Sequence, residues 1–231
     1  MGAGASLLRF TATERAFHWA FALAYLSLLV TGLPLWLSGL RPWIPWWNRT
    51  IGVRLHLAGA VLWLAVPLLV FGLGDRQALR GAGKHLARFA PGDWAWLRRF
   101  PRWFFGRARE PGDVDRFNAG QKFYASFTAA TSALLLLTGL ALWPAGEGSA
   151  VLGDFVLGPG SVRAWRDAHK VLMLLILCPL GAHLFFALLH PRTRPSLSGM
   201  LRGRVPAGWA AAEHPRWFRR VAPPSEPRPP R

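Results

Sequence analysis

Cysteine is almost absent from this sequence: of 231 residues, only Cys178 carries a thiol. A lone cysteine cannot form a disulfide within the chain, and without a Cys-x-x-Cys motif or a cysteine cluster there is no zinc or iron–sulfur ligand set. Any bound metal must therefore be held by histidine. Acidic residues are also scarce, with 11 Asp and Glu against 28 Lys and Arg, which gives a formal net charge of +17.

Long apolar runs separated by basic gaps make up the rest of the sequence. Hydrophobic residues account for 52% of the chain and tryptophan occurs 13 times, a composition typical of a membrane protein with several spans. The basic residues fall between the apolar runs, where anionic lipid headgroups are the simplest partner, so we expect no nucleic-acid binding. Four runs are long enough to cross a hydrocarbon core of about 30 Å as helices. We predict spans at about 16–40, 53–74, 121–144 and 167–190.

The basic residues are distributed unevenly among the gaps. The stretch from Asp75 to Arg116 contains ten Lys and Arg, and nine Arg follow Pro191, whereas the first loop contains two and the stretch from Ala145 to Ala164 contains one. The positive-inside rule therefore predicts that both termini and the second loop are cytoplasmic. We expect residues 1–220 to form the membrane domain and residues 221–231 to form a Pro-rich disordered tail.

Several smaller expectations concern local structure. Thr13 is a candidate N-cap for the first span, because its hydroxyl can accept a hydrogen bond from a backbone N–H of the first turn. His85 lies in the basic second loop, so we expect it to be exposed. The run from Asp93 to Phe105 alternates aromatic and basic residues, which is typical of a segment lying among lipid headgroups. We find no convincing internal repeat.

Four of the seven histidines lie within the apolar runs or at their ends. With the predicted orientation, His18 begins the first span on the cytoplasmic side, and His183 lies near the cytoplasmic end of the fourth. His56 and His169 begin the second and fourth spans on the outer side. Ionisable side chains inside a bilayer are costly and usually have a partner or a function. The four histidines thus form two pairs, and the two members of each pair lie at the same membrane depth. This arrangement favours a ligand role over ordinary hydrogen bonding between helices.

The identity of the metal follows from what the pairs lack. Two imidazoles without a nearby carboxylate or thiolate make a poor zinc site, which requires four ligands. They suit the two axial positions of a haem, and without a Cys-x-x-Cys-His motif the haem must be b-type. We predict an all-α integral membrane protein, a four-transmembrane-helix bundle holding two b-type haems that transfer single electrons. His18 and His183 would bind the cytoplasmic-side iron, and His56 and His169 the outer iron.

Several motifs together resemble those of a known family. They are Arg15-Ala-Phe-His18-Trp19, the early His56, Asn118-Ala-Gly-Gln-Lys122, the spacing of His169 and His183, and His214-Pro-Arg-Trp217. From about Phe10 to Arg219 the chain resembles the cytochrome b (gamma) subunit of membrane-bound formate dehydrogenase. The Asn-Ala-Gly-Gln-Lys stretch is the more specific mark of that family.

The resemblance implies a function, a location and partners. The chain would be the quinone-reducing membrane subunit of an oxidoreductase in the bacterial cytoplasmic (inner) membrane. It would receive electrons from an iron–sulfur beta subunit, while a molybdenum- or tungsten-pterin alpha subunit oxidises formate. The implied quinone pocket adjoins the cytoplasmic-side haem at the residues matching Asn118, Gly120 and Gln121, with menaquinone or ubiquinone as substrate. His190, at the membrane edge, is a lesser candidate for contact with a propionate or a quinone.

Other functions fit part of this pattern. The paired histidines alone also suit the cytochrome b subunits of nickel–iron hydrogenase and thiosulfate reductase. A second class is an intramembrane proton-relay or transport protein whose histidines titrate, although between their polar ends the apolar runs contain no Asp or Glu for such a relay. A third class is a structural membrane anchor, which would not require paired histidines.

Overall fold

Helices account for most of the chain in the computed structural model, which describes residues 5–44, 47–106, 112–146, 158 and 161–222. In chain order they are α1 (Ala12–Trp36), α2 (Arg49–Leu73), α3 (Arg76–Ala87), α4 (Pro91–Phe104), α5 (Ala119–Gly146), α6 (Ser161–Leu184), α7 (Leu197–Arg202), α8 (Ala207–Glu213) and α9 (Pro215–Val221). Short 3₁₀ turns cover Ser38–Trp43 and Arg194–Ser196, and a π-helical turn covers Phe185–Leu189.

Four of these segments are long and apolar enough to cross a membrane. They are Ala12–Trp36, Arg49–Leu73, Ala119–Trp143 and Ser161–Leu189, the last of which continues from α6 through the π-helical turn. In that turn the backbone N–H of His190 donates to the carbonyl of Phe185 over 2.9 Å. The predicted helical membrane fold with four spans is therefore confirmed, with one short β-ribbon in addition.

The helix bounds differ from the sequence prediction at the N-terminal end of every long helix, and α1 also ends earlier than predicted, at Trp36. Each long helix begins before its apolar run, because polar residues can adopt helical conformation in the interfacial region at the end of a span. Thr13 is not the N-cap of α1, which already begins at Ala12; its hydroxyl instead accepts a hydrogen bond from the backbone N–H of Asp75 at 3.1 Å. The predicted disordered tail overlaps the end of α9 at Val221, and residues 223–231 lie outside the described part of the chain.

One compact unit comprises Thr13–Leu79 and Phe127–Leu184, and so contains α1, α2 and most of α5 and α6. Helices α1 and α2 approach closely at Gly59, where an added Cβ would lie 3.3 Å from the Leu28 side chain. Phe21 and Trp63 also pack together, with ring centroids 5.3 Å apart. Large apolar side chains cover the outside of these helices, as expected of a surface that faces lipid; they include Leu23, Val30, Leu69, Leu137 and Leu175.

The described residues of Met1–Ala12, Arg80–Ser126 and Phe185–Arg231 form the other unit. Its two strands, β1 (Ser6–Leu8) and β2 (Arg204–Pro206), pair antiparallel with Leu7 opposite Val205. Val205, Ala210 and Trp217 form a small buried core beside this ribbon. The unit thus joins the N-terminal segment, the second loop and the C-terminal segment, which are the three basic segments that the positive-inside rule assigns to one side of the membrane.

A buried polar network lies next to this core. The Arg9 guanidinium donates to the carbonyl of Arg116 at 2.8 Å and lies 3.1 Å from Nε2 of His214. His214 Nδ1 lies 2.6 Å from the carbonyl of Asp115 and donates to it. Burial, followed by the neighbouring charge of Arg116, lowers the pKa of Arg9 to about 9. Burial and then the charge of Arg9 hold the pKa of His214 well below its usual 6.5.

The expectation that His85 is exposed is wrong. Its side chain is half-buried, its Nε2 lies 3.3 Å from Oδ2 of Asp115, and its ring contacts Phe117 edge-on at 5.8 Å. The cause is tertiary, because Asp115 lies in the same folded unit as the loop that carries His85. Asp115 also forms an ion pair with Arg220 of the C-terminal segment. It therefore connects its own segment to α3 and to α9.

Candidate metal centres

Four histidines form two pairs inside the unit that contains most of the four long helices. His18 from α1 and His183 from α6 have ring centroids 6.3 Å apart. His56 from α2 and His169 from α6 also have ring centroids 6.3 Å apart. The two rings of each pair are tilted or perpendicular, with interplanar angles of 51° and 81°, so neither pair is stacked. These are the pairs that the sequence analysis predicted from depth.

The separation within each pair matches two imidazoles that share one metal ion. A metal–nitrogen bond is about 2.0–2.1 Å long and the ligating nitrogen lies about 1.1 Å from its ring centroid, so two rings on opposite sides of one ion have centroids about 6 Å apart. Among the described residues, no three His, Cys, Asp or Glu side chains cluster closely enough to hold a metal ion. A two-ligand arrangement of this kind fits a haem, whose porphyrin supplies the remaining four nitrogens.

Two threonines contact the histidines of the second pair, His56 and His169, which is named the outer pair after its predicted depth. Thr31 Oγ1 lies 3.0 Å from Nδ1 of His56, and Thr138 Oγ1 lies 2.7 Å from Nδ1 of His169. Neither threonine is among the site residues predicted from the sequence. A signal was present, because each begins the same hexapeptide pattern, Thr-Gly-Leu-x-Leu-Trp, at 31–36 and at 138–143. The expectation of no internal repeat is therefore wrong at this short length.

The surroundings of His18 differ from those of the outer pair. Its ring contacts the neighbouring Trp19 edge-on, with centroids 5.2 Å apart. Its Nδ1 is buried, and within the described part of the chain it has no hydrogen-bond partner. The polar support that threonine provides to both outer histidines is thus missing at His18.

The candidate quinone residues lie at the start of α5. Asn118 and Gln121 form a reciprocal capping box: the backbone N–H of Gln121 donates to Asn118 Oδ1 at 2.8 Å, and that of Asn118 donates to Gln121 Oε1 at 3.0 Å. Both side-chain oxygens are therefore used by the helix start. Among the described residues, neither side-chain NH₂ group has a hydrogen-bond partner, so both remain available as donors.

Helix α4 packs against this helix start. A Cβ added at Gly120 would lie 3.3 Å from the ring of Trp96. The Lys122 ammonium lies 2.7 Å from Oδ2 of Asp93, and both side chains are largely buried. The same carboxylate accepts a hydrogen bond from the backbone N–H of Ala90 at the start of α4, over 2.7 Å. Gly120, one of the predicted quinone residues, thus also allows α4 to pack closely against α5.

His190 is buried among aromatic rings. Its ring centroid lies between 5.2 and 6.0 Å from those of four neighbours, Trp103, Phe104, Phe185 and Phe186. Its Nδ1 lies 3.4 Å from the hydroxyl of Thr193. Within its own folded unit the side chain is therefore packed, and its suggested contact with a propionate or a quinone remains a prediction.

Comparison with known proteins decides the family. The profile of the prokaryotic cytochrome b561 family matches residues 9–203, a range that includes all four paired histidines. The chain belongs to this family. Membership in a family of b-type cytochromes agrees with a non-covalently held haem b and with the electron transport expected of it.

Individual relatives support the resemblance found in the sequence. The nitrate-inducible formate dehydrogenase cytochrome b556(Fdn) subunit of Escherichia coli strain K12 is 22% identical over 219 residues, which cover 90% of this chain and 88% of the relative. The formate dehydrogenase cytochrome b556(fdo) subunit of the same strain is 24% identical over 227 residues, with 94% and 93% covered. A cytochrome b556(Fdn) subunit from Shigella flexneri is 22% identical. The suspected resemblance to formate dehydrogenase cytochrome b subunits is confirmed.

Proposed function

We propose that this member of the cytochrome b561 family is the electron-transferring membrane subunit of a formate dehydrogenase complex. It takes electrons from an iron–sulfur partner, carries them across the membrane through two bis-histidine haem sites, and reduces a quinone. Formate is oxidised on a separate molybdenum- or tungsten-pterin subunit. The proposal is supported by similarity over most of the chain to proteins named as formate dehydrogenase cytochrome b556 subunits.

The observation that carries the haem assignment is the equal separation of the two histidine pairs, 6.3 Å between ring centroids in each. His18 and His183 would bind one iron, and His56 and His169 the other. A haem held by two of these imidazoles would have no ligand position left for dioxygen or substrate, and so would supply one-electron transfer. The apolar helices around the pairs exclude water and separate the two sites along α6, where His169 and His183 lie about 21 Å apart in helical rise.

The remaining chemistry belongs to the quinone site. Reduction of a quinone to a quinol consumes two electrons and two protons, so the pocket requires hydrogen-bond donors at the quinone carbonyls. Asn118 and Gln121 offer side-chain NH₂ groups while their oxygens cap α5. By the positive-inside rule this end of the third span is cytoplasmic, and the protons come from that side. Each electron that moves inward works against the membrane potential, at about 2.3 kcal/mol per 100 mV.

The decisive experiment is haem analysis of the complex purified from membranes together with its partner subunits. We expect two haem b per chain by the pyridine haemochromogen assay, and a reduced-minus-oxidised spectrum of low-spin cytochrome b on addition of formate. A chain without haem would refute the assignment and favour a histidine relay. Haem that is reduced by hydrogen but not by formate would keep the electron-transfer role and replace the proposed partner by a hydrogenase.

A further inference from the structure

The repeated hexapeptide puts a threonine and a glycine next to each histidine of the outer pair. Thr31 and Gly32 lie in α1 and face His56 of α2; Thr138 and Gly139 lie in α5 and face His169 of α6. Each helix that carries the repeat therefore contacts a histidine of another helix: α1 contacts α2, and α5 contacts α6. All of these residues belong to the same folded unit.

The threonine hydroxyls can accept a hydrogen bond from the imidazole, because each also has a backbone carbonyl to which it can donate. The Thr31 hydroxyl lies 2.8 Å from the carbonyl of Ser27, and the Thr138 hydroxyl lies 2.9 Å from the carbonyl of Leu134. A hydroxyl has one hydrogen, which each threonine can donate to a carbonyl of its own helix. If Nε2 of each histidine binds iron, the proton of the neutral imidazole is on Nδ1, and the threonine oxygen is the acceptor in reach.

The glycines allow the imidazole rings to reach this position. A Cβ added at Gly32 would lie 3.1 Å from Cε1 of His56, which is closer than ordinary van der Waals contact. A Cβ added at Gly139 would lie 3.5 Å from Cε1 of His169, which is ordinary contact. A side chain at position 32 would therefore require the His56 ring to shift by a few tenths of an ångström, whereas one at position 139 would only contact the His169 ring.

The two metal centres differ in this support. At the outer centre Nδ1 of both histidines lies within hydrogen-bond distance of a threonine hydroxyl, and the His56 ring also interacts with the backbone of Leu28. At the inner centre, Nδ1 of His18 is buried and has no hydrogen-bond partner within the residues that the structure describes. A hydrogen bond from Nδ1–H raises the basicity of the ligating nitrogen, which stabilises the ferric state and lowers the reduction potential of a bound haem.

We propose that Thr31 and Thr138 are positioning residues for the outer haem, which hold His56 and His169 in the Nδ1–H form and lower the outer potential. This inference rests on the proposed bis-histidine haem sites.

The test is a potentiometric titration of the intact complex carrying Thr31→Val, Thr138→Val or both. Valine has nearly the shape of threonine but cannot accept the hydrogen bond. Each substitution should weaken the preference of the outer haem for the ferric state about tenfold, which raises its potential by about 59 mV for a one-electron couple. The inner haem should keep its potential, and the low-spin ferric EPR signal of the outer haem should shift.

Three controls make the result specific. Thr31→Ser and Thr138→Ser keep the hydroxyl and should titrate like the unmodified complex. Thr128→Val removes another buried hydroxyl from α5, one that has no hydrogen-bond partner among the described residues, and should change neither potential. If the Thr→Val variants lose the outer haem and the Thr→Ser variants keep it, the hydroxyl is needed to hold that haem. If both kinds of variant lose the haem, the hydroxyl does not have the proposed role.

The outcomes separate this inference from the proposed function. An unmodified complex without haem would refute the haem assignment itself. Two haems in every variant, with outer potentials unchanged by valine at both positions, would refute only the role of the threonines.

Discussion

The ring of His18 lies 6.3 Å, centroid to centroid, from the ring of His183, although the two residues belong to the first and last of the long helices. Replacing either by alanine should abolish the inner haem, because one imidazole cannot supply both axial ligands. Replacing His56 or His169 should abolish the outer one. Haem content of the four purified variants measures this: each should fall from two haems per chain to one.

A histidine outside the pairs provides the control for that series. His85 is half-buried and paired with Asp115, so His85→Ala disturbs a histidine contact without touching either pair. It should keep both haems. Two haems in all four paired-histidine variants would contradict the ligand assignment.

The orientation in the membrane can be tested with two glycines. Gly39, between α1 and α2, and Gly83, in α3, are exposed, and a Cβ added at either would meet no other atom within 4 Å. In a Cys178→Ala background, Gly39→Cys should react with a membrane-impermeant maleimide added to spheroplasts, because the first loop is predicted to be outside. Gly83→Cys should react only after the membrane is opened; the reverse pattern would invert the topology.

The neutral form of His214 makes folding sensitive to acid. Its pKa is lowered by burial first and by Arg9 second, so the folded chain does not take up the proton that the unfolded chain binds below about pH 6.5. Stability therefore falls as the pH drops below that value, by up to about 1.4 kcal/mol per pH unit from this group. Unfolding midpoints measured by tryptophan fluorescence should decrease between pH 7 and pH 5. His214→Gln, which does not titrate, should show a smaller decrease. An equal decrease in the two proteins would show that His214 is not the cause of the acid sensitivity.

The ion pair between Lys122 and Asp93 connects α5 to α4 over 2.7 Å. Lys122→Met leaves a largely buried carboxylate without its counter-charge, a loss that costs about 3–5 kcal/mol at buried pairs. The unfolding midpoint in detergent should fall clearly. Adding Asp93→Asn should restore part of it, since the amide is uncharged and its oxygen can still accept from the N–H of Ala90. A double variant as unstable as the single one would show that the charge is not the cause.

The sequence predicted the four spans and the pairing of the histidines because both follow from periodic, local properties. Charge-free runs of sufficient length define the spans, and the loop arginines predict their orientation. The membrane depth of each histidine then follows from its position in its span. The bounds, by contrast, depend on how far polar ends remain helical, which is why α1 begins at Ala12.

The contacts that the sequence did not reveal all join residues distant along the chain. His85 finds Asp115, and Arg9 finds His214, through tertiary packing that no local pattern specifies. Thr31 and Thr138 were missed for a different reason: they lie in apolar runs where a single hydroxyl is commonplace. Only the hexapeptide shared by two non-adjacent spans distinguishes them.

The last prediction distinguishes two roles of Asn118 and Gln121, the capping of α5 and the donation of hydrogen bonds to a quinone. Asn118→Asp and Gln121→Glu keep the oxygens that accept the backbone N–H groups of the capping box, and carboxylates are favourable at a helix N-terminus. Both substitutions remove the side-chain NH₂ donor. In the assembled complex reduced by formate, both haems should bind and become reduced as before. Their reoxidation by added quinone should slow at least tenfold if the amides donate to its carbonyls.

Gln77→Leu removes an exposed amide from α3 and should leave reoxidation unchanged. If the residues only cap α5, Asn118→Asp and Gln121→Glu will also behave like the unmodified complex. That outcome would move the quinone away from the start of α5. The aromatic cluster around His190 would then be the next site to test, by the same reoxidation assay on His190→Phe, which keeps a ring in the cluster and removes the polar nitrogens.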